Sequence, residues 1–191
     1  MIKIHVFTIF PEMFDLPLAL GILGRAQKAG LVHIDVHDLR AFSEDPHKSV
    51  DDAPFGGGPG MVMKAQPFFD GVESLNLPSN APTILMSPQG KTFTQEDAER
   101  LANEPVITLL CGRYEGVDER IAEYLASEVI SIGDFVLSGG EFPCLTVIDA
   151  VVRLLPGALG HGQEAIQDDS YSSGLIQYPQ FTRPAEFRSW T

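Results

Sequence analysis

Ser131-Ile132-Gly133-Asp134-Phe135-Val136-Leu137-Ser138-Gly139-Gly140-Glu141 leaves an apolar strand, crosses three glycines and enters an apolar helix. Glycine reaches backbone angles that other residues avoid, and it lets a ligand lie against the main chain. With Ile132, Phe135, Val136 and Leu137 between them, the glycines describe a wall of backbone amides and apolar side chains. Such a wall suits a flat, neutral heterocycle better than a phosphate. A strand-to-helix turn with no ligand is the competing reading.

Outward from this stretch, strands and helices alternate. Residues 2–9 read as a strand, and Pro11-Glu12 opens a helical segment that runs to Gly30. Residues 31–37 alternate strictly, so Val32, Ile34 and Val36 face inward while His33, Asp35 and His37 share the other face. That triplet could bind a metal, but it reads as the wet side of a strand, and no metal site is expected. Apolar strands follow at 83–86, 106–111 and 129–132, and helices at 65–75, from Thr94 through Leu101, up to Leu125, and from Glu141 through Leu155. Thr94 with Asp97 resembles a capping box. The alternation predicts an α/β fold, a parallel sheet with helices on both faces. Three successive strands end in glycine-containing turns, at 87–90, 112–116 and 133–140. Ligands of open α/β sheets bind beyond the carboxyl ends of the strands, so these turns should converge on one pocket.

Residues 43–62 form a long polar, glycine-rich connection, read as a binding lid or a flexible insertion. Gly56-Gly57-Gly58-Pro59-Gly60 has the wrong spacing for a dinucleotide fingerprint. Gly90-Lys91-Thr92 imitates the tail of a phosphate loop, but Leu85 stands where the first glycine belongs, which counts against a nucleotide-phosphate enzyme. The polar stretch 158–174 reads as a flexible interdomain linker after a domain over 1–157.

The totals set further bounds. The chain has 191 residues, 44% of them hydrophobic and 20% charged, enough for one sizeable core. No apolar run is long enough to span a bilayer, and the N-terminus reads as a strand rather than a signal peptide, so no membrane partner is expected. Cys111 and Cys144 sit in apolar surroundings and read as buried free thiols of a cytoplasmic protein. A net charge of −13 argues against a broad, sequence-independent grip on nucleic acid.

The motifs then add up. Phe10-Pro11-Glu12-Met13-Phe14, Gly56 to Met61, Ser87-Pro88-Gln89-Gly90, Cys111-Gly112-Arg113-Tyr114-Glu115-Gly116-Val117-Asp118-Glu119-Arg120, the 131–141 stretch and Phe181-Thr182-Arg183-Pro184 occur in one order. In that order they resemble bacterial tRNA (guanine-N1)-methyltransferases, over nearly the whole chain. The resemblance implies a SPOUT-class fold whose parallel sheet carries a deep trefoil knot, an arrangement general folding rules would not suggest. It implies a cytoplasmic homodimer with active sites across the interface. It implies S-adenosyl-L-methionine as methyl donor and tRNA as partner, the target being the guanosine on the 3′ side of the anticodon.

By the same likeness, Leu85, Ser87, Pro88, Gly112, Tyr114, Ile132, Gly133, Asp134, Phe135, Val136, Leu137, Gly139, Gly140 and Pro143 would hold the donor. Family members often carry Tyr at the Phe135 position. Guanine N1 bears a proton, so a base must take it while a cation steadies the charge growing on O6. Asp169 of Asp169-Ser170-Tyr171 matches the family's catalytic aspartate, with Asp168 as the alternative register. Arg153 matches its arginine, and Glu115 a supporting carboxylate. Read without the family, Asp169 is a solvated loop acid and Arg153 a helix-end charge. The resemblance raises Mg²⁺ as an aid to deprotonation, which no motif here identifies. It also implies a basic helical C-terminal domain, of which 175–191 would be only the start. On that expectation these 191 residues dimerise and bind donor but methylate tRNA feebly. The alternative is a donor-binding dimer scaffold without catalysis.

Overall fold

The computed structural model describes residues 1–160, 170–171 and 176–188. Five strands form one sheet: β1 (Ile2–Thr8), β2 (Val32–Asp38), β5 (Thr83–Thr92), β6 (Val106–Cys111) and β7 (Glu128–Ser131), in the order β2-β1-β6-β5-β7. Every pairing in it is parallel. Two further strands, β3 (Asp51–Asp52) and β4 (Val62–Met63), form a short antiparallel ladder inside the 43–62 connection. The expected parallel α/β sheet is present.

The strands are apolar on both sides because helices cover both sides. On one face Ile4, Val6, Leu109 and Ile84 pack with residues of α1 (Glu12–Ala19), α2 (Gly21–Lys28), α4 (Gln95–Ala102) and α6 (Glu141–Val152). On the other, Phe7, Leu110 and Leu85 pack with Phe68 of α3 (Ala65–Ser74) and Ile121 of α5 (Arg120–Tyr124). The capping box on α4 is formed: the Thr94 hydroxyl accepts from the Asp97 amide, and the Asp97 carboxylate accepts from the Thr94 amide.

Two elements differ from their sequence reading. The segment 11–30 is two helices, broken where Leu20 turns extended and Gly21 takes a φ of 57°. Gly24 explains the tight join, since a Cβ there would lie 2.2 Å from the Ala19 carbonyl oxygen. Strand β5 does not end at Met86; it slips register between Met86 and Lys91 and pairs again with β7. A Cβ on Gly90 would stand 2.5 Å from the Ile130 nitrogen, so glycine permits the close approach of β5 to β7.

The order of the strands carries a consequence for the site. β7 lies at the edge, beside β5. The next element, α6, nevertheless starts against the end of β6: the Gly140 amide donates to the Gly112 carbonyl at 2.9 Å. The 131–140 stretch therefore crosses the end of β5 to reach β6.

Candidate active site

That crossing closes a cleft. Residues 85–88 from β5, 112–117 after β6, and 130–133 and 135–140 with Pro143 line one concave cavity of about 170 Å³. All three glycine-containing turns meet there. Of the expected donor set, Leu85, Ser87, Pro88, Gly112, Tyr114, Ile132, Gly133, Phe135, Val136, Leu137, Gly139, Gly140 and Pro143 line it, while Asp134 is exposed and lies outside the lining. Glu115 lines it as well.

The glycines shape the cavity by what they lack. A Cβ on Gly140 would come within 2.7 Å of the Cys111 Cα, which would push the start of α6 off the end of β6. Gly133 sits at φ 146°, a conformation closed to other residues. Tyr114 adopts a φ of 62°, unusual for a side-chain-bearing residue, and such strain gathers at functional sites.

One ion pair holds the walls together. Glu141, fully buried in the first turn of α6, accepts from Arg113 Nε at 2.9 Å and from the Thr8 hydroxyl at 2.7 Å. A carboxylate there is favoured by the amide dipoles of the helix N-terminus. The Arg113 guanidinium also reaches the Ser138 carbonyl and lies 4.7 Å over the Phe10 ring. The Phe10–Phe14 motif thus braces the turn after β6. Among the described residues, Arg113 is the one cation lining the cleft, and Glu141 already engages it. An uncharged ring plus an apolar wall fits this chemistry, and a polyphosphate does not.

The 56–61 loop is fastened to the same turn. The Glu115 amide donates to the Met61 carbonyl at 3.0 Å, and the Met63 amide to the Gly116 carbonyl at 3.0 Å. A Cβ on Gly60 would meet the Glu115 side chain at 2.4 Å. Farther along the turn, hydrogen bonds from Arg120 hold Asp118 below the usual carboxylate range. Beneath the cleft, Cys111 and Cys144 are buried and free, their sulfurs 3.2 Å apart. Burial pushes the Cys111 thiol well above its ordinary value, so it is no nucleophile.

Of the expected catalytic residues, Glu115 and Arg153 are not brought together within one chain. Glu115 is in the cleft, but Arg153 caps the far end of α6. Thirteen residues separate it from Gly140, roughly 20 Å at the rise of an α-helix. Asp169 and its neighbour Asp168 lie outside the described residues. Sequence reasoning missed the Arg113–Glu141 pair; a carboxylate opening an otherwise apolar helix was the available signal. It also missed the tie between the 56–61 loop and the 112–116 turn, which local pattern does not encode.

Fold and cleft together define a parallel α/β domain with a cleft for a small molecule at the carboxyl rim of its strands. Comparison narrows the class. A family model described as tRNA (Guanine-1)-methyltransferase TrmD matches residues 2–191. The tRNA (guanine-N(1)-)-methyltransferase of Halalkalibacterium halodurans is 53% identical over 190 residues, 98% of this chain and 77% of that protein. The one from Dehalococcoides mccartyi strain BAV1 is 51% identical, covering 98% of this chain and 76% of its own length. The crystal structure of tRNA (m1G37) methyltransferase from Aquifex aeolicus superposes with a TM-score of 0.82 at 37% identity, covering 99% of this chain and 79% of that one. The chain belongs to the tRNA (guanine-N1)-methyltransferase family.

Proposed function

We propose that this chain transfers the methyl group of S-adenosyl-L-methionine to N1 of the guanosine on the 3′ side of the anticodon in tRNA. The observation that supports it is the meeting of three strand-end turns in one cleft with backbone and apolar walls. The residues present fit the donor. Leu85, Ile132, Phe135, Leu137 and Pro143 offer apolar surface for a flat base, and Gly112, Gly139 and Gly140 let the turns that form the walls pack closely on one another.

When bound, the donor supplies an electrophilic methyl carbon on a sulfonium. Asp169 takes the N1 proton of guanine and leaves the nitrogen lone pair free to attack. Arg153 stabilises the charge that develops on O6. Glu115, in the cleft lining, orients the base. Arg153 lies far from the cleft of its own chain, which favours a homodimer in which a second copy completes each site. The deep trefoil knot belongs to this reading, and the crossing of β5 by the 131–140 stretch is consistent with it.

The test is Asp169→Ala, assayed for methyl transfer under single-turnover conditions with protein in excess over tRNA, alongside calorimetric titration of the donor. Donor affinity is expected to stay near wild type while transfer falls by about 100-fold or more. Unchanged transfer removes Asp169 as base. Donor binding by the wild type without any transfer supports the non-catalytic scaffold instead.

A further inference from the structure

On the second sheet face, at the β1–β2 edge, a polar group interrupts the apolar surface. In parallel register, Asp35 of β2 stands beside His5 of β1, which stands beside Thr108 of β6. His37 follows two residues after Asp35 and stacks on Phe7 with ring centroids 4.7 Å apart. The cleft is built from the ends of β5, β6 and β7, so this group lies outside it.

One ligand atom from each of His5, Asp35 and His37 lies within 4.8 Å of the other two. His5 Nδ1 and His37 Nε2 are 3.0 Å apart, and the Asp35 carboxylate is 3.8 Å from His5 Nδ1. A tetrahedral ion with bonds of about 2.0–2.1 Å needs ligand atoms roughly 3.3 Å apart, so side-chain rotations can bring these three into place and leave the fourth position to water. His33, which the strand pattern grouped with Asp35 and His37, bonds to the outer oxygen of Asp35 at 2.8 Å. It serves as the supporting imidazole, and buried His5 takes the ligand position.

We propose that His5, Asp35 and His37 bind a divalent ion of the zinc class and so pin edge strand β2 to β1. Two imidazoles with one carboxylate favour Zn²⁺ over Mg²⁺ or Ca²⁺, which take oxygen ligands. Binding through His5 Nδ1 requires the tautomer that carries its proton on Nε2. Thr108, on the opposite side of His5 from Asp35, has a fully buried hydroxyl with no hydrogen-bond partner among the described residues. It is an orphaned polar group next to the three ligands. Lys3, 3.3 Å from the Asp35 carboxylate and half-exposed, is the cation the ion displaces.

The experiment uses the full chain stripped with a chelator, then titrated with zinc chloride by calorimetry and followed by thermal unfolding. One Zn²⁺ per chain is expected, with a raised Tm, while magnesium chloride leaves the Tm unmoved. Asp35→Asn and His37→Gln each lose the zinc-dependent rise, and Lys3→Gln tightens zinc binding. Cobalt(II) in place of zinc gives visible bands without a thiolate charge-transfer band. The proposal is overturned if zinc leaves the wild-type Tm unchanged, if the rise survives in both ligand variants, or if the cobalt spectrum shows thiolate ligation.

Discussion

Glu141 has no exposed surface, and its charge is tolerated because Arg113 and Thr8 satisfy it. Removing one partner of a buried ion pair leaves the other charge stranded, which is worse than removing both. Arg113→Met should therefore destabilise the chain by about 3–5 kcal/mol in urea unfolding. Adding Glu141→Leu to that variant should recover part of the loss. Equal stability of single and double variants would mean that the pair does not carry the joint between α6 and the β6 turn. At this scale the sequence was partly legible. Gly112, Gly133 and Gly140 announced a close backbone approach, and the cavity uses it. Arg113 and Glu141 stand 28 residues apart, and nothing local joins them. Their partnership depends on the crossing of β5, which is a tertiary event.

Elements were readable where periodicity and caps agree. The strands at 2–8, 106–111 and 128–131 and the helices α3, α4 and α6 lie close to where alternation and helical spacing put them. The boundary errors have physical causes. A helix-compatible pattern over 12–28 hid the break at Leu20, because the break is enforced by the fit of Gly24 against Ala19. Gly90-Lys91-Thr92 looked like a phosphate-loop fragment, yet its glycine serves strand packing. Gly90→Ala should push β5 away from the Val129–Ile130 backbone and destabilise the chain by about 2–4 kcal/mol, read as a shifted denaturation midpoint. The same change should leave the α4 capping box intact, since Thr94 and Asp97 pair locally. A variant as stable as wild type would show that β5 and β7 can separate there without cost.

The whole molecule sets a problem of distance. The cleft opens at the N-terminal end of α6, and Arg153 sits at its other end. If a second copy brings that arginine to the cleft, activity must depend on association. Specific methyl transfer should fall as the protein is diluted, over the same concentration range in which sedimentation shows dimers of the 20.8 kDa chain dissociating. Activity that persists in a sedimenting monomer would place the whole reaction within one chain. The net charge of −13 bears on the same scale: the net long-range field of this chain repels a polyanion rather than steering it in.

The path of residues 131–140 over β5 also orders events during synthesis. The cleft takes its walls from segments that leave the ribosome far apart in time, the first near Leu85 and the last near Pro143. Until Gly140 has emerged and settled against Gly112, a growing chain has most of its sheet but nowhere to seat a ligand. A nascent polypeptide stopped before that glycine can be folded in part and still be empty-handed.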